Sequence, residues 1–384
     1  MSIEPGAIER GGVAGRERYV ALDAIRGAAA LAVLFYHLRN LKPDGITQPD
    51  GAEGAMFASG YLAVDLFFVM SGFVIAHAYG HRLGPALPPG RFLALRFVRL
   101  QPVMAIGVLI GFGFALVQRL AGLPDAPGLF AIATSLPFNL AMLPNLLLPC
   151  SLFLFNAPAW SLFFELAANA GYGVLFARAR PIALRVCAGT CMGGLVGLVI
   201  VGWQIGDIDH GVDLIHWPVA LVRIGFSFPL GVLLYHARDR WARHIPRLPV
   251  WLLLAACVAA LAPSPQGMWR GLYDIGFATV LSPLLVMLGA VARPGSRSLA
   301  AASWLGLISY PLYALHAPIK HIVEAAVPLG FAGLYWTATV AALIAAHVVA
   351  TRVDEPARAL LGRLLDRLIQ SPPAAATTRR GAQP

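Results

Sequence analysis

Apolar positions along this chain fall into runs of about 20 residues, the length that carries a helix across the hydrocarbon core of a bilayer, and short polar or proline-bearing stretches separate them. The runs lie at 19–38, 61–79, 102–120, 160–177, 182–203, 217–236, 250–262, 271–292, 304–327 and 331–350. Arginine gathers between them: Arg82, Arg91, Arg96 and Arg99 before the third run, Arg178, Arg180 and Arg185 around the start of the fifth, RDRWARHIPR after the sixth, Arg293 and Arg297 after the eighth. Short arginine-rich loops stay in the cytoplasm. With ten runs crossing, all of these loops fall on one side. The expected fold class is therefore all-α, a polytopic membrane helix bundle of about ten transmembrane helices with both termini cytoplasmic.

One stretch resists this scheme. Between 121 and 158 the prolines at 124, 127, 137, 144, 149 and 158 break a sequence apolar enough to enter the bilayer. A full crossing there would put Arg178, Arg180 and Arg185 outside, so an interfacial or re-entrant element is expected, its broken backbone covered by protein or lining a cavity. Residues 1–17 read as a disordered cytoplasmic lead-in without the apolar core of a signal peptide. Residues 18–356 form the membrane domain. Residues 357–370 read as an amphipathic cytoplasmic helix, with Leu360, Leu361, Leu364, Leu365 and Leu368 set among arginines, and 371–384 as a disordered tail.

Composition agrees. Of 384 residues 58% are hydrophobic and only 12% charged, at a mean hydropathy of +0.70, whereas soluble domains carry roughly a quarter charged. A net charge of +10 suggests a nucleic-acid partner in a soluble chain; here the bases lie in membrane loops, so the basicity reads as topology and no nucleic acid is expected. The four cysteines show no metal-ligand spacing, and no metal is expected.

Polar groups inside the runs are costly and mark functional paths. Arg26 and His37 are 11 residues apart, which returns to the same helix face about 16 Å further along. Asp23, three residues before Arg26, is placed to pair with it. Asp65 lies just inside the second run, to be paired with Arg26 or Arg39 or to be used. Arg91, Arg96 and Arg99 either anchor the inner rim or bind the phosphates of a charged cofactor, since guanidinium forks match phosphate oxygens. In WSLFFE, Trp160 sits at an interface and Glu165 about one turn deeper, where a carboxylate needs a partner or a task. The segment ISYPLYALHAPIKH puts Ser309, Tyr310, Tyr313 and His316 in the ninth run.

LDAIRGAAALAVLFYH at 22–37, GYLAVDLFFVMSGFVI at 60–75, RFLALRFVRLQP at 91–102, WSLFFE at 160–165 and ISYPLYALHAP at 308–318 come in the order found in acyltransferase family 3, and the chain resembles that family over nearly its whole length. The resemblance implies an integral membrane enzyme of the cytoplasmic (inner) membrane that moves an acyl group, acetyl by default, from acyl-CoA to a hydroxyl of a carbohydrate or glycolipid acceptor. It makes acyl-CoA a co-substrate, with no permanently bound cofactor. It also implies that His37 is the catalytic base and that Arg26 belongs to the same motif. On that footing Arg26, Arg91, Arg96 and Arg99 hold the donor, and Glu165 or, second, Asp65 orients the imidazole. Trp160, Ser161, Ser309, Tyr310, Tyr313 and His316 are candidates for the acceptor or the oxyanion. A transporter or flippase relaying protons through Asp65, Glu165 and His37 is the alternative; it calls for inverted repeats, and none is visible. Oligomeric state, acyl chain length and acceptor identity are left open.

Overall fold

The computed structural model describes residues 19–41, 56–148, 151–293 and 295–370. The disorder expected at 1–17 and 371–384 lies outside them. Among the described residues the chain is helical throughout and forms no strand: α1 Val20–Leu38, α2 Ala63–Tyr79, α3 Pro89–Leu120, α4 Leu129–Leu140, α5 Ala159–Arg178, α6 Arg180–Gln204, α7 Trp217–His236, the single turn α8 Arg238–Trp241, α9 Val250–Leu261, α10 Met268–Gly276, α11 Ser282–Val291, α12 Ser296–Ala326, α13 Phe331–Val348 and α14 Glu355–Gln370. A π-helical stretch joins α10 to α11, and another joins α13 to α14.

A helix answers each of the ten apolar runs, but eight helical segments among the described residues are long and apolar enough to cross a membrane. The two that fall short do so for different reasons. α9 has only 12 residues. α5 has 20, but Ser161, Glu165 and Asn169 lower its hydropathy. A helix surrounded by other helices rather than lipid can carry such residues. The third element is longer than its apolar run: α3 starts at Pro89, so Arg91, Arg96 and Arg99 stand on a helix of 32 residues and not in a loop.

The bundle is sorted by lipid contact. α1 and the segment containing α2 have 67% and 72% of their apolar windows buried against protein, α6 only 17%, with Val196, Val199, Ile200 and Trp203 facing outward. In hydrocarbon, helices associate through close packing and polar contacts rather than by burying apolar surface, so the central helices use small residues where they cross. α1 packs most extensively on α12, and α2 on α7. At the first crossing a Cβ on Gly27 would lie 2.5 Å from the Leu305 carbonyl oxygen, and one on Gly306 would lie 2.6 Å from the Asp23 Cβ. At the second, Gly72 and Gly231 sit in the same reciprocal way against the backbones of Phe228 and Val69. The first crossing brings the Arg26 side chain onto α12. Gly306→Val is therefore expected to lose about 1–3 kcal/mol by overpacking and to separate Arg26 from its α12 partners; thermal unfolding in detergent with a parallel activity assay checks both.

The proline-broken stretch is short-helical; protein covers only part of it, since Leu129, Phe130, Leu146 and Leu147 stay exposed. α4 spans 12 residues, and the chain beyond it is held by three buried asparagines that replace the missing backbone ladder. Asn139 Nδ2 donates to the Leu152 carbonyl at 3.1 Å, Asn145 Nδ2 to Ser135 Oγ at 3.0 Å, and Asn156 Nδ2 to the Ala314 carbonyl at 2.8 Å. The amphipathic tail helix forms as α14 and lies against α3, tied by Arg91 Nη2 to Asp366 Oδ1 at 3.2 Å, while Leu360 and Leu364 stay exposed.

Candidate active site

The α1 to α12 seam carries ionisable groups at both ends. At the arginine-rich end, Arg26 Nη2 donates to Asp23 Oδ1 at 2.8 Å, and Arg26 Nε donates to Ser309 Oγ at 2.9 Å. Ser309 passes its own proton to the Gly306 carbonyl at 2.8 Å, so it works as a bracket for the guanidinium and not as an oxyanion donor. On α3, Arg96 meets Glu165 at 3.0 Å, and Ser71 Oγ also donates to that carboxylate, at 2.7 Å. Arg99 has Arg26, Arg96 and Arg358 in its electrostatic surroundings. Tyr310 donates to the Leu100 carbonyl.

Toward the other end, His37 and His316 face each other with ring centroids 4.8 Å apart. His37 Nδ1 lies 2.9 Å from the Val33 carbonyl, and His316 Nδ1 lies 2.8 Å from the Tyr313 carbonyl and 3.2 Å from that of Leu312. A carbonyl oxygen only accepts, so each neutral ring carries its proton on Nδ1 and keeps the Nε2 lone pair available. His316 Nε2 is buried and has no hydrogen-bond partner. Ser309 and His316 are seven residues apart, close to two turns of α12, so the contacts to Arg26 and to His37 come from one face of that helix. Beside them Tyr313 Oη lies 2.6 Å from Ser161 Oγ and donates to the Pro158 carbonyl at 3.2 Å.

Neither carboxylate expected to orient His37 does so; the Val33 carbonyl holds the ring. Glu165 is committed to Arg96 and Ser71. Asp65, fully buried, pairs with Arg223 rather than with Arg26 or Arg39: Arg223 Nη2 meets Asp65 Oδ2 at 2.6 Å and Nε reaches both carboxylate oxygens at 3.2 Å. Arg223 also donates to the carbonyls of Tyr61 and Ile208 and stands 5.6 Å from the Trp160 ring. Arg223 is the clearest omission of the sequence reading. It is a lone arginine in an apolar run, and the test applied to Asp65 would have found it.

The carboxylate that does lie in the electrostatic surroundings of His37 is Asp209, from the loop after α6. Tyr36 donates to it, Arg39 donates to Tyr36 Oη at 2.8 Å, and Arg270 Nη2 lies 3.6 Å from Asp209. The acidic loop at 205–216 is thus sewn across this end of the bundle. It closes on itself at Asp213. Partial desolvation works to raise that carboxyl, but the ring and backbone N–H of His216 outweigh it and hold it below its ordinary value.

Fold and seam together define a multi-pass membrane protein with paired imidazoles between helices and a cluster of guanidiniums at one rim. The family model described as an acyltransferase domain, acyltransferase family 3, matches residues 19–351. The chain belongs to that family and is a membrane-bound O-acyltransferase. It is also 41% identical over 175 residues to Protein 2 in picA locus of Rhizobium radiobacter, a match that covers 42% of this chain and 85% of that one. No solved structure matches. The transporter alternative gives way to this membership, and the relay it required is not assembled, since Asp65 and Glu165 are held by arginines away from His37.

Proposed function

We propose that this protein transfers an acyl group, acetyl in the first instance, from cytoplasmic acyl-CoA to a hydroxyl of a carbohydrate or glycosylated acceptor at the cytoplasmic membrane. The supporting observation is the seam itself: one helix pair, α1 and α12, links a guanidinium at the arginine-rich rim to an imidazole pair further along. In this reading the arginine-rich end faces the cytoplasm, both chain ends lie there, and α5 and α9 complete a set of ten crossings. The phosphates of CoA sit against Arg96, Arg99 and Arg26, and the pantetheine arm runs along the seam, whose length from Arg26 to His37 is about 16 Å at the rise of a helix. Arg91, engaged with Asp366, guards the entrance.

His37 Nε2 takes the proton of the acceptor hydroxyl as its oxygen attacks the thioester carbonyl carbon. The tetrahedral intermediate collapses with loss of the CoA thiolate, which recovers the proton from the imidazolium. The Val33 carbonyl fixes the tautomer, the part a carboxylate plays in hydrolase triads, and Asp209 supplies negative charge toward the imidazolium. His316 and the Ser161 to Tyr313 pair line the place where the acceptor oxygen arrives. The test is a proteoliposome assay with acetyl-labelled acetyl-CoA and a glycan acceptor. Acetylated glycan and free CoA thiol are expected in equal amounts; release of thiol no faster than in protein-free vesicles would overturn the proposal.

A further inference from the structure

The Arg26, Arg96 and Arg99 group has a fourth member that none of the sequence motifs contains. α14 runs antiparallel beside the start of α3: Arg91 and Arg99 are eight residues apart, as are Arg358 and Asp366, and the first and last of these four are paired while the middle two adjoin. Guanidiniums from α1, α3 and α14 thus converge on one place. Three carboxylates answer them: Asp23 on Arg26, Glu165 on Arg96, and Asp354 on Arg358 at 3.0 Å. Among the described residues Arg99 makes no hydrogen bond or ion pair, and Arg96 Nε is buried without a partner. Like charges brought together repel one another, Arg99 presents an exposed guanidinium, and an unused donor on the buried Arg96 adds to that cost. The arrangement is stable when an anion with several acceptor oxygens occupies it.

We infer that α14 is part of the donor site and that Arg358, together with Arg99, binds the pyrophosphate of the acyl-CoA nucleotide. The inference rests on acyl-CoA being the donor. The pyrophosphate is favoured over the 3′-phosphate by depth: Arg358 adjoins Arg99 and, through it, Arg26 at the foot of the seam, not Arg91 at the entrance. The pyrophosphate is the phosphate group attached to the pantetheine arm. Asp354 holds Arg358 in place until the ligand arrives, and the same pair fastens the π-helical joint between α13 and α14.

The experiment measures binding of CoA, 3′-dephospho-CoA and pantetheine to the purified full chain in phosphatidylcholine nanodiscs. Arg358→Gln is expected to weaken CoA and dephospho-CoA alike, by about tenfold, the scale of one charge-assisted hydrogen bond, and to leave pantetheine unchanged. Asp354→Asn, which removes the competing carboxylate, is expected to tighten both nucleotides. Damage to the joint would instead weaken binding in both variants and would overturn the assignment. Unchanged affinity in Arg358→Gln overturns it too, and a loss confined to CoA reassigns the arginine to the 3′-phosphate. Anionic lipid headgroups share the phosphate chemistry. If adding phosphatidylglycerol lowers CoA affinity in the parent protein but not in Arg358→Gln, the site belongs to lipid. Absence of CoA binding by the parent protein would sink the donor reading itself.

Discussion

His37→Gln is expected to lower acyl transfer by about 10²–10⁴-fold, the usual contribution of a positioned general base, while CoA binding stays within error of the parent protein. Glutamine retains a polar group of similar reach that can hydrogen-bond the Val33 carbonyl, so the α1 backbone keeps its partner. What disappears is the basic lone pair that faces the seam. The same substitution at His316 separates two roles for the second ring. A ring that only packs against His37 lowers the rate through geometry, and the pH profile of the remaining activity keeps its shape. A ring that shares the proton or binds the acceptor changes the profile or raises the KM for the glycan. An undiminished rate in His37→Gln would remove the imidazole from the chemistry.

How far the site could be read from sequence followed the range of each interaction. The Asp23 to Arg26 pair is three residues long, and helix geometry alone places it. The common face of Arg26 and His37 follows from the same periodicity, and α12 touches both. Partners across the bundle were not legible in this way. Glu165 was marked as needing a partner, yet periodicity within α5 says nothing of Arg96, 69 residues earlier, and a sequence separation of 158 hides Arg223 from Asp65. The contacts of the 205–216 loop were hidden for a related reason. Its acids meet Arg39 at the end of α1 and Arg270 near the start of α10, and its carbonyls meet Arg223 from within α7. Hydropathy overlooks a loop that packs on such groups, because it scores residues without their partners. The helices themselves were legible because their length is set by the bilayer. The α5 and α9 segments were the weakest instances, one being partly polar and the other short.

The largest loss of stability is expected at the Asp65 to Arg223 pair. Arg223→Met leaves a carboxylate with no solvent exposure and no counter-charge, and it also strips donors from the Tyr61 and Ile208 carbonyls. Breaking a buried pair from one side costs about 3–5 kcal/mol, because the surviving charge stays desolvated. Asp65→Leu should be comparably harmful, since it strands a guanidinium. The double variant removes both charges and should recover a substantial part of the loss, though not all of it, because the two carbonyls remain short of a donor. Arg223 also sits over Trp160 and beside the 205–216 loop, so the single variants should release that loop. Limited proteolysis between α6 and α7 should then become faster, while the double variant stays intermediate. Unfolding in detergent micelles, followed by near-UV circular dichroism, ranks the three. Should the double variant prove no more stable than either single one, the pair would be acting through its bonds to the loop rather than by mutual neutralisation.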